Sequence, residues 1–161
     1  MYSSCRTRMY KKNKSRDNRK CRKHHRKIRK PTIFIAKLNG RNEVLANDSI
    51  AKGNAFALLS KDNKILDYIL RTEKLENIVA AHFHDGAKGQ DGPIVKDINI
   101  DPITGIAIGS WAATDFIQPL TKELVRKLKH GEIYINVHTL VYPGGEIRGQ
   151  LYPLEKKNKR Y

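Results

Sequence analysis

The chain has 161 residues, with 32 Lys/Arg against 16 Asp/Glu and a formal net charge of +16. This length predicts one domain with tails, and no stretch approaches the roughly 20 apolar residues that a membrane-spanning helix needs. The charge belongs to the two ends of the chain, because residues 31–154 contain 14 basic and 14 acidic side chains. Because residues 31–154 are neutral overall, the basic pI of the whole chain does not indicate the function of that domain.

The first 30 residues are a polybasic arm, with 14 Lys/Arg, the single acid Asp17 and very few apolar residues. Burial of so few apolar side chains does not compensate for the entropy lost when the backbone is ordered. The arm is therefore predicted to be disordered. We expect it to bind an acidic partner, namely an acidic polymer, a nucleic acid or a protein, although a solvated charge run that only keeps the chain soluble is the alternative. Residues 155–161 form a second, short basic tail. The basic residues of the arm are Arg6, Arg8, Lys11, Lys12, Lys14, Arg16, Arg19, Lys20, Arg22, Lys23, Arg26, Lys27, Arg29 and Lys30.

Both cysteines, Cys5 and Cys21, lie in the arm, so the fold of residues 31–154 is predicted to be independent of disulfides. They could pair, cross-link two chains or stay free as thiols with a pKa lowered by the flanking cations. No apolar segment of roughly 7–15 residues follows the cations, as a Sec signal peptide requires. The sequence therefore predicts an intracellular protein, or one assembled inside the cell into a spore coat or virion-type particle.

Alternation of apolar and polar residues predicts six strands in the first part of the domain. Gly53 is expected to mark a β-bulge, and residues 61–64 a hairpin turn. In the fourth strand Val79, Ala81 and Phe83 are expected to face one way, and Ile78 the other. The glycine-rich loop that follows leads into another strand rather than a helix, which argues against a dinucleotide or phosphate loop. The six strands are predicted at 32–38, 50–60, 65–71, 78–84, 94–100 and 106–111.

One helix is predicted, over residues 121–130. Leu124 and Leu128 repeat at helical spacing, Thr121 is a suitable N-cap, and Gly131 is a suitable C-terminal stop. His130 then lies at the end of the helix, where the helix dipole favours an imidazolium.

The last part of the domain, residues 133–151, is predicted to be two strands joined by a turn at Pro143-Gly144-Gly145. Many short strands separated by turn signals indicate an all-β fold, an antiparallel Greek-key-like sandwich or barrel with one short helix. The polar face of the final hairpin is unusual for a solvent-facing surface. It carries Asn136, His138, Glu146, Arg148 and Gln150.

Three separated motifs occur in order: residues 36–44, AKLNGRNEV; residues 80–94, AAHFHDGAKGQDGPI; and residues 134–151, YINVHTLVYPGGEIRGQL. Together they resemble the CHRD (chordin-type) domain over about residues 32–154. The resemblance implies a β-sandwich that serves as a structural or interaction module. Secreted members of the family carry a signal peptide, so the resemblance also makes secretion the alternative location.

Three histidines are the candidates for chemistry. His82 and His84 are two apart in a predicted strand and so project from the same face, and His138 occupies the polar face of a second strand. Were these strands neighbours, the three imidazoles would converge in an arrangement that suits Cu or Zn. The layout is similar to that of Cu/Zn superoxide dismutase, as an analogy between folds.

The interpretation that the sequence favours over a metal site is a polar network, in which the histidines hydrogen-bond to Asn136, Glu146 and Arg148 and hold the hairpin in place. Arg148 is expected to pair with Glu146 or with a neighbouring strand. No catalytic nucleophile with a partner base is readable. The sequence thus favours a non-enzymatic structural or interaction module without a cofactor. The alternatives are a metal-binding protein or dismutase-like enzyme, and a nucleic-acid-associated protein that binds through the arm.

Overall fold

The computed structural model describes residues 30–154, so the basic tail and all of the arm except Lys30, together with Cys5 and Cys21, lie outside the described residues. Between residues 30 and 154 no helix has the length and apolar character needed to cross a membrane. The elements are β1 Thr32–Asn39, a 3-10 turn Gly40–Asn42, β2 Lys52–Leu59, β3 Ile65–Glu73, β4 Ile78–Asp85, β5 Ile94–Asp97, β6 Ile106–Ala112, α1 Lys122–Lys129, β7 Ile133–Thr139, β8 Ile147–Gln150 and β9 Tyr152–Pro153.

The strands form one antiparallel sheet in the order β5-β4-β7-β8-β1-β2-β3-β6, and β9 also pairs with β1. The sheet curls until its two edges approach each other, so the fold is nearly a closed barrel, and the predicted all-β class with one helix is confirmed. The gap between the edge strands is bridged by side chains. Lys96 of β5 forms an ion pair with Asp115, and Gln118 donates to Asp97, both partners lying just after β6.

The core fills the inside of the barrel, because the inward residues of each strand are apolar. Phe83, Trp111 and Tyr68 form an aromatic cluster in which the Phe83 ring lies 5.3 Å from Trp111 and 5.1 Å from Tyr68, centroid to centroid. Helix α1 contributes Leu128 and Val125 to the same core. Aromatic burial of this kind supplies a large share of the stability of a small domain.

The helix ends follow the sequence signals. Thr121 Oγ1 accepts a hydrogen bond from the backbone nitrogen of Leu124, which satisfies one of the free amides at the start of the helix. Gly131, directly after the C-cap, adopts a φ of +74°, a left-handed conformation that glycine takes without strain. The helix is one residue shorter at each end than predicted.

Two details of the strands differ from the sequence prediction. A register shift between Ile78 and Ala80 on β4 turns Ile78 inward and leaves Val79 54% exposed, so the predicted facing of these two residues was wrong. Gly53 pairs regularly with Leu38 and Thr72, and no bulge forms there. A Cβ on Gly53 would lie 3.2 Å from Leu38 Cβ and from Ile147 Cδ1, so the glycine permits close packing instead.

Candidate metal centre

The outer face of β4, β7 and β8 is covered by two chain segments, unlike the outer face of the other strands. Residues 86–93, the glycine-rich loop, lie over β7 and β8, and residues 40–49 approach β8 from the other side, where Asn42 donates to the carbonyl of Arg148. As a result Tyr134 and Asn136, which point outward from β7, are 1% and 4% exposed. The covering segments create a buried polar layer outside the barrel.

The structure brings the three predicted histidines together on this face. His82 pairs in register with Asn136, and His138 with Ala80, so His82 and His138 are diagonal neighbours across β4 and β7. Nδ1 of His82 lies 3.1 Å from Nε2 of His138. One ring nitrogen from each of His82, His84 and His138 lies within 4.8 Å of the other two. The cluster is therefore compact enough for one ion to contact all three side chains after small movements.

Two of the three histidines have a fixed orientation. Nδ1 of His84 donates to the carbonyl of Gly92 at 2.9 Å, and Nδ1 of His138 donates to the carbonyl of Pro143 at 3.0 Å. A carbonyl oxygen only accepts, so each Nδ1 carries the proton and, in the neutral ring, each Nε2 keeps its lone pair. Nε2 of His84 is buried and has no hydrogen-bond partner within residues 30–154.

The surroundings favour neutral imidazoles. Burial lowers the pKa of all three histidines below 6.5, and for His82 the proximity of His138 and His84 lowers it further. Asp97 lies near His82, with Oδ1 3.8 Å from Nε2, and opposes this effect only weakly. Neutral rings are the form that binds a metal ion.

A stack of side chains supports His84 from behind. Its ring lies parallel to that of Tyr134, with centroids 4.7 Å apart, and the guanidinium carbon of Arg148 lies 3.5 Å from the Tyr134 centroid. The Tyr134 hydroxyl also accepts from the nitrogen of Gly92 at 3.2 Å, so the peptide groups of Gly92 are held by both Tyr134 and His84. A Cβ at Gly92 would lie 1.7 Å from the carbonyl oxygen of Asp85, so only glycine fits there.

The residues of the predicted polar network hold the covering segments and make no hydrogen bond to the histidine rings within residues 30–154. Arg148, 1% exposed, donates to the carbonyls of Ala87 and Gln90 and pairs with Asp91 at 3.3 Å, all three in the glycine-rich loop. It does not pair with Glu146, and its contact with the neighbouring strand β7 is the stack on the Tyr134 ring.

Glu146 instead accepts hydrogen bonds from Ser49 Oγ and Thr139 Oγ1, both at 2.6 Å. It thereby fastens the segment after β1 to the end of β7. The third predicted network residue, Asn136, contacts Glu43 with its side-chain nitrogen.

Glu43 is a further residue of this polar layer, and no sequence pattern indicated it as a candidate site residue. It lies in the covering segment 40–49, and none of the described residues forms a hydrogen bond with its buried Oε1. Burial raises its pKa from 4.5 to about 7, and the nearby positive charge of Arg148 only partly opposes the rise. Glu43 belongs to no strand or helix, so no periodicity marks it, and only its place in the motif 36–44 could have pointed to it.

Comparison with known proteins finds a family model that matches this chain. None of the curated proteins and none of the solved structures gives a significant match. A family model described as the CHRD domain matches residues 34–151, from β1 to the residue before β9. The match covers most of the chain and suggests an interaction module. The chain therefore belongs to the CHRD domain family.

Proposed function

We propose that this CHRD domain is an interaction module that binds one transition-metal ion of the copper or zinc type at His82, His84 and His138. One observation carries the proposal: Nε2 of His84 is buried, carries a lone pair and has no hydrogen-bond partner in the described part of the chain. Burial of an acceptor without a hydrogen-bond partner costs about 1–3 kcal/mol, because its bonds to water are lost and no bond replaces them. A metal ion bound to Nε2 of His84 would remove this cost.

The hydrogen bonds of the rings are those of metal ligands. A ligating histidine commonly donates its other ring nitrogen to a backbone carbonyl or a carboxylate, which fixes the tautomer and the ring orientation. His84 and His138 do this with Gly92 and Pro143, and His82 presents its Nε2 toward Asp97. The donor set offered to the ion is then Nδ1 of His82, Nε2 of His84 and Nε2 of His138.

The spacing of these nitrogens also fits. Ligand bonds of about 2.0–2.1 Å in a tetrahedral site place the ligand nitrogens about 3.3 Å apart. The His82–His138 separation of 3.1 Å is close to that value, while the largest separation in the cluster is bounded by 4.8 Å. A shift of the His82 or His84 ring by roughly an ångström closes the site, and side-chain adjustments of this kind are common on binding.

A direct hydrogen bond from Nδ1 of His82 to Nε2 of His138 is the competing account of the 3.1 Å contact. It satisfies those two rings but leaves Nε2 of His84 without a partner. The metal account satisfies all three rings at once, and so it is the arrangement we propose.

The test is metal stoichiometry of the full-length chain. Wild-type protein, His84→Ala and His130→Ala are each dialysed against Cu(II) or Zn(II) and analysed for bound metal and protein. His130 is exposed at the end of α1, so its variant is the matched control for loss of one imidazole. We expect the wild type and His130→Ala to bind one ion more than His84→Ala, whose remaining metal reports on His24, His25 and the two cysteines of the arm. Equal stoichiometry in all three proteins would refute the proposal.

We also propose that the polybasic arm binds an acidic polymer, such as a nucleic acid, without sequence preference. The supporting observation is the segregation of charge, net +13 in residues 1–30 beside a neutral domain. Binding of this kind releases counterions and weakens steeply with salt. A spore or virion-type particle that encloses nucleic acid would supply such a polymer. Retention of the full chain and of residues 31–161 on a polyanion column should differ strongly, and equal retention would contradict the proposal.

A further inference from the structure

A groove lies on the outer face of β1, between the glycine-rich loop and the 3-10 turn. Its floor includes the partly exposed side chains of Ile35 and Tyr152, which pair in register across β1 and β9. Lys88 of the glycine-rich loop and Asn42 of the 3-10 turn form its walls, and its volume is about 280 Å³. We call this space the basic groove. Its lining also includes Lys37, Arg148 and Gln150.

The basic groove is positively charged. No Asp or Glu of residues 30–154 lines it. The ammonium groups of Lys37 and Lys88 form no ion pair with another described residue. Arg148 also lines the groove, but its guanidinium already pairs with Asp91. Two lysine charges are therefore available to an anion that enters.

Acids on the adjoining elements are engaged elsewhere. Asp67 of β3 is separated from β1 by the whole of β2 and accepts a hydrogen bond from Ser110 at 2.5 Å. Glu43, which follows the 3-10 turn, contacts Asn136 on β7. Glu73 is the last residue of β3, and its register partner on β2 is a lysine. The positive charge of the groove is thus not neutralised by the surrounding surface.

The groove also presents an aromatic ring and two amide oxygens in fixed positions. The Tyr152 ring is 47% exposed and packs against the end of α1, where a Cβ at Gly131 would lie 2.7 Å from its Cε1. The Nε2 of Gln150 and the Nδ2 of Asn42 each donate to two backbone carbonyls, which fixes both amides. No described residue donates to the amide oxygen of either side chain, so both oxygens can accept from a ligand.

The groove begins close to the point where the polybasic arm joins the domain. Strand β1 starts at Thr32, and Ile35 lies three residues further on, about 10 Å along the strand. Lys30, the last of the 14 basic residues of the arm, directly precedes this strand and its proline. An acidic polymer bound to the arm is therefore close enough to enter the groove.

We propose that the basic groove binds one unpaired nucleotide, so that the acidic polymer of the arm is a single-stranded nucleic acid. This inference rests on the proposed function of the arm and names its ligand. The base stacks on Tyr152 with its polar edge toward the two amide oxygens, and Lys37 and Lys88 bind the flanking phosphates. A cationic groove with an exposed aromatic ring is typical of single-strand binding. A duplex keeps its bases stacked on one another and offers no free base to the ring.

The first test measures Kd of full-length proteins for a labelled oligothymidylate of about 12 nucleotides, within the usual site sizes of single-strand binding, and for a duplex of equal length. Tyr152→Ala should raise the Kd for the single strand about tenfold, through loss of one stacked base, and leave the Kd for the duplex unchanged. Tyr152→Phe should bind like the wild type, because stacking requires the ring and not the hydroxyl. If Tyr152→Ala loses its fold, Tyr152→Leu replaces it.

Phe116→Ala is the matched control for the loss of an aromatic ring. Phe116 is 99% exposed and follows β6, an edge strand, whereas the groove lies over β8 and β1 in the middle of the strand order. This variant should bind the single strand with the affinity of the wild type.

The second test addresses the phosphates. Lys37→Gln and Lys88→Gln should each weaken single-strand binding and reduce the slope of log Kd against log salt concentration by about 0.7, the value for one phosphate contact to a single strand. Lys74→Gln is the control for charge, since Lys74 is exposed after β3 and does not line the groove. It should change neither quantity.

Equal affinities of the wild type and Tyr152→Ala for the single strand, or a wild type that does not bind it, would overturn the inference. Retention on heparin, which has sulfates but no bases, tests the arm separately. If retention requires residues 1–30 while single-strand binding is insensitive to Tyr152→Ala, only the groove proposal is wrong. If single-strand binding needs Tyr152 while heparin retention does not need the arm, only the arm proposal is wrong. If the two lysine variants weaken heparin retention and Tyr152→Ala changes nothing, the groove binds a sulfated polysaccharide instead, which also refutes the inference.

Discussion

Asn136 donates from Nδ2 to Oε2 of Glu43 at 3.4 Å, while Oδ1 of Asn136 and Oε1 of Glu43 are buried without a hydrogen-bond partner among residues 30–154. The pair joins the middle strand of the covered face to the segment after β1. Burial disfavours the ionised carboxylate of Glu43 and raises its pKa to about 7, and the positive charge of Arg148 only partly opposes this rise.

This raised pKa predicts a pH-dependent stability. In the unfolded chain Glu43 titrates near 4.5, and in the folded chain near 7. The folded state therefore binds more protons between these values, and the contribution of Glu43 to stability is present below pH 4.5 and lost as the pH rises to 7. Glu43→Gln removes the titration, so it should be more stable than wild type by about 1–2 kcal/mol at pH 8 and nearly equal at pH 4.

Urea unfolding of both proteins at the two pH values measures this difference, and the comparison with wild type cancels the contributions of other titrating groups. A stability difference that does not change between pH 4 and pH 8 would show that Glu43 ionises normally.

His138→Ala is predicted to have two separable effects. It removes the hydrogen bond to the carbonyl of Pro143 that holds the β7–β8 turn, so the variant should melt several °C lower than wild type even in chelator. It should also abolish the rise in melting temperature that Zn(II) or Cu(II) gives the wild type, a rise expected from binding to the folded state alone. His130→Ala should retain that rise. A wild type whose melting temperature is the same in chelator and in excess metal would contradict the second effect.

Metal affinity should also depend on pH in a definite direction. Because burial lowers the pKa of His82, His84 and His138 below 6.5, protons compete with the ion only in the more acid range. The apparent affinity of the site should be nearly constant from pH 8 to pH 6.5 and fall below that. A titration of Zn(II) against a competing chelator at each pH measures it. A fall in affinity beginning at pH 7 or above would indicate ligands with a normal or raised pKa.

Arg148→Lys tests how the glycine-rich loop is held. Lysine keeps the charge but loses the planar fork that reaches the carbonyls of Ala87 and Gln90 and stacks on Tyr134. We expect a loss of about 2–4 kcal/mol in unfolding free energy, together with weaker metal binding, because the loop supplies the Gly92 carbonyl that orients His84. Arg126→Lys is the control, since Arg126 is half exposed on α1 and should change stability by less than about 1 kcal/mol.

Removal of residues 1–30 should leave the melting temperature within about 2 °C of the full chain. The buried core of the described domain begins at Phe34, and the pairing of β1 with β2 begins at Thr32. A loss of several °C would show that the arm packs against the domain.

Sequence periodicity predicted the strands well, because a strand that buries every second side chain has an apolar residue at every second position. β2 and β3 alternate between buried and exposed residues almost without fault, from Lys52 to Leu59 and from Ile65 to Glu73. The periodicity predicts the wrong facing where a register shift in the backbone interrupts the alternation. The shift after Ile78 exchanges the faces of Ile78 and Val79, and both residues are apolar, so their identity gives no warning.

The candidate site was predictable in part for a related reason. His82 and His84 share a face by their spacing, and the His138 strand could be recognised, so the cluster followed once the strands were neighbours. The partners of the rings could not be predicted, since Gly92 and Pro143 contribute backbone carbonyls, which every residue has. The same holds for Arg148, whose main partners are the carbonyls of Ala87 and Gln90, 61 and 58 residues earlier in the chain.

The pairing of β1 with β9 determines where the two charged ends leave the domain. Phe34 is opposite Pro153, and the nitrogen of Leu154 donates to the carbonyl of Ile33, so the arm and the tail start side by side. A net charge of +13 and one of +3 are thus attached at a single pole of an otherwise neutral body. An acidic polymer that bound both charged ends would hold the domain by that pole. At the opposite end of β1, Asn39 is level with Arg148 and Asn136, and Asn136 pairs with His82. The histidine cluster would therefore lie at the end of the domain away from the polymer.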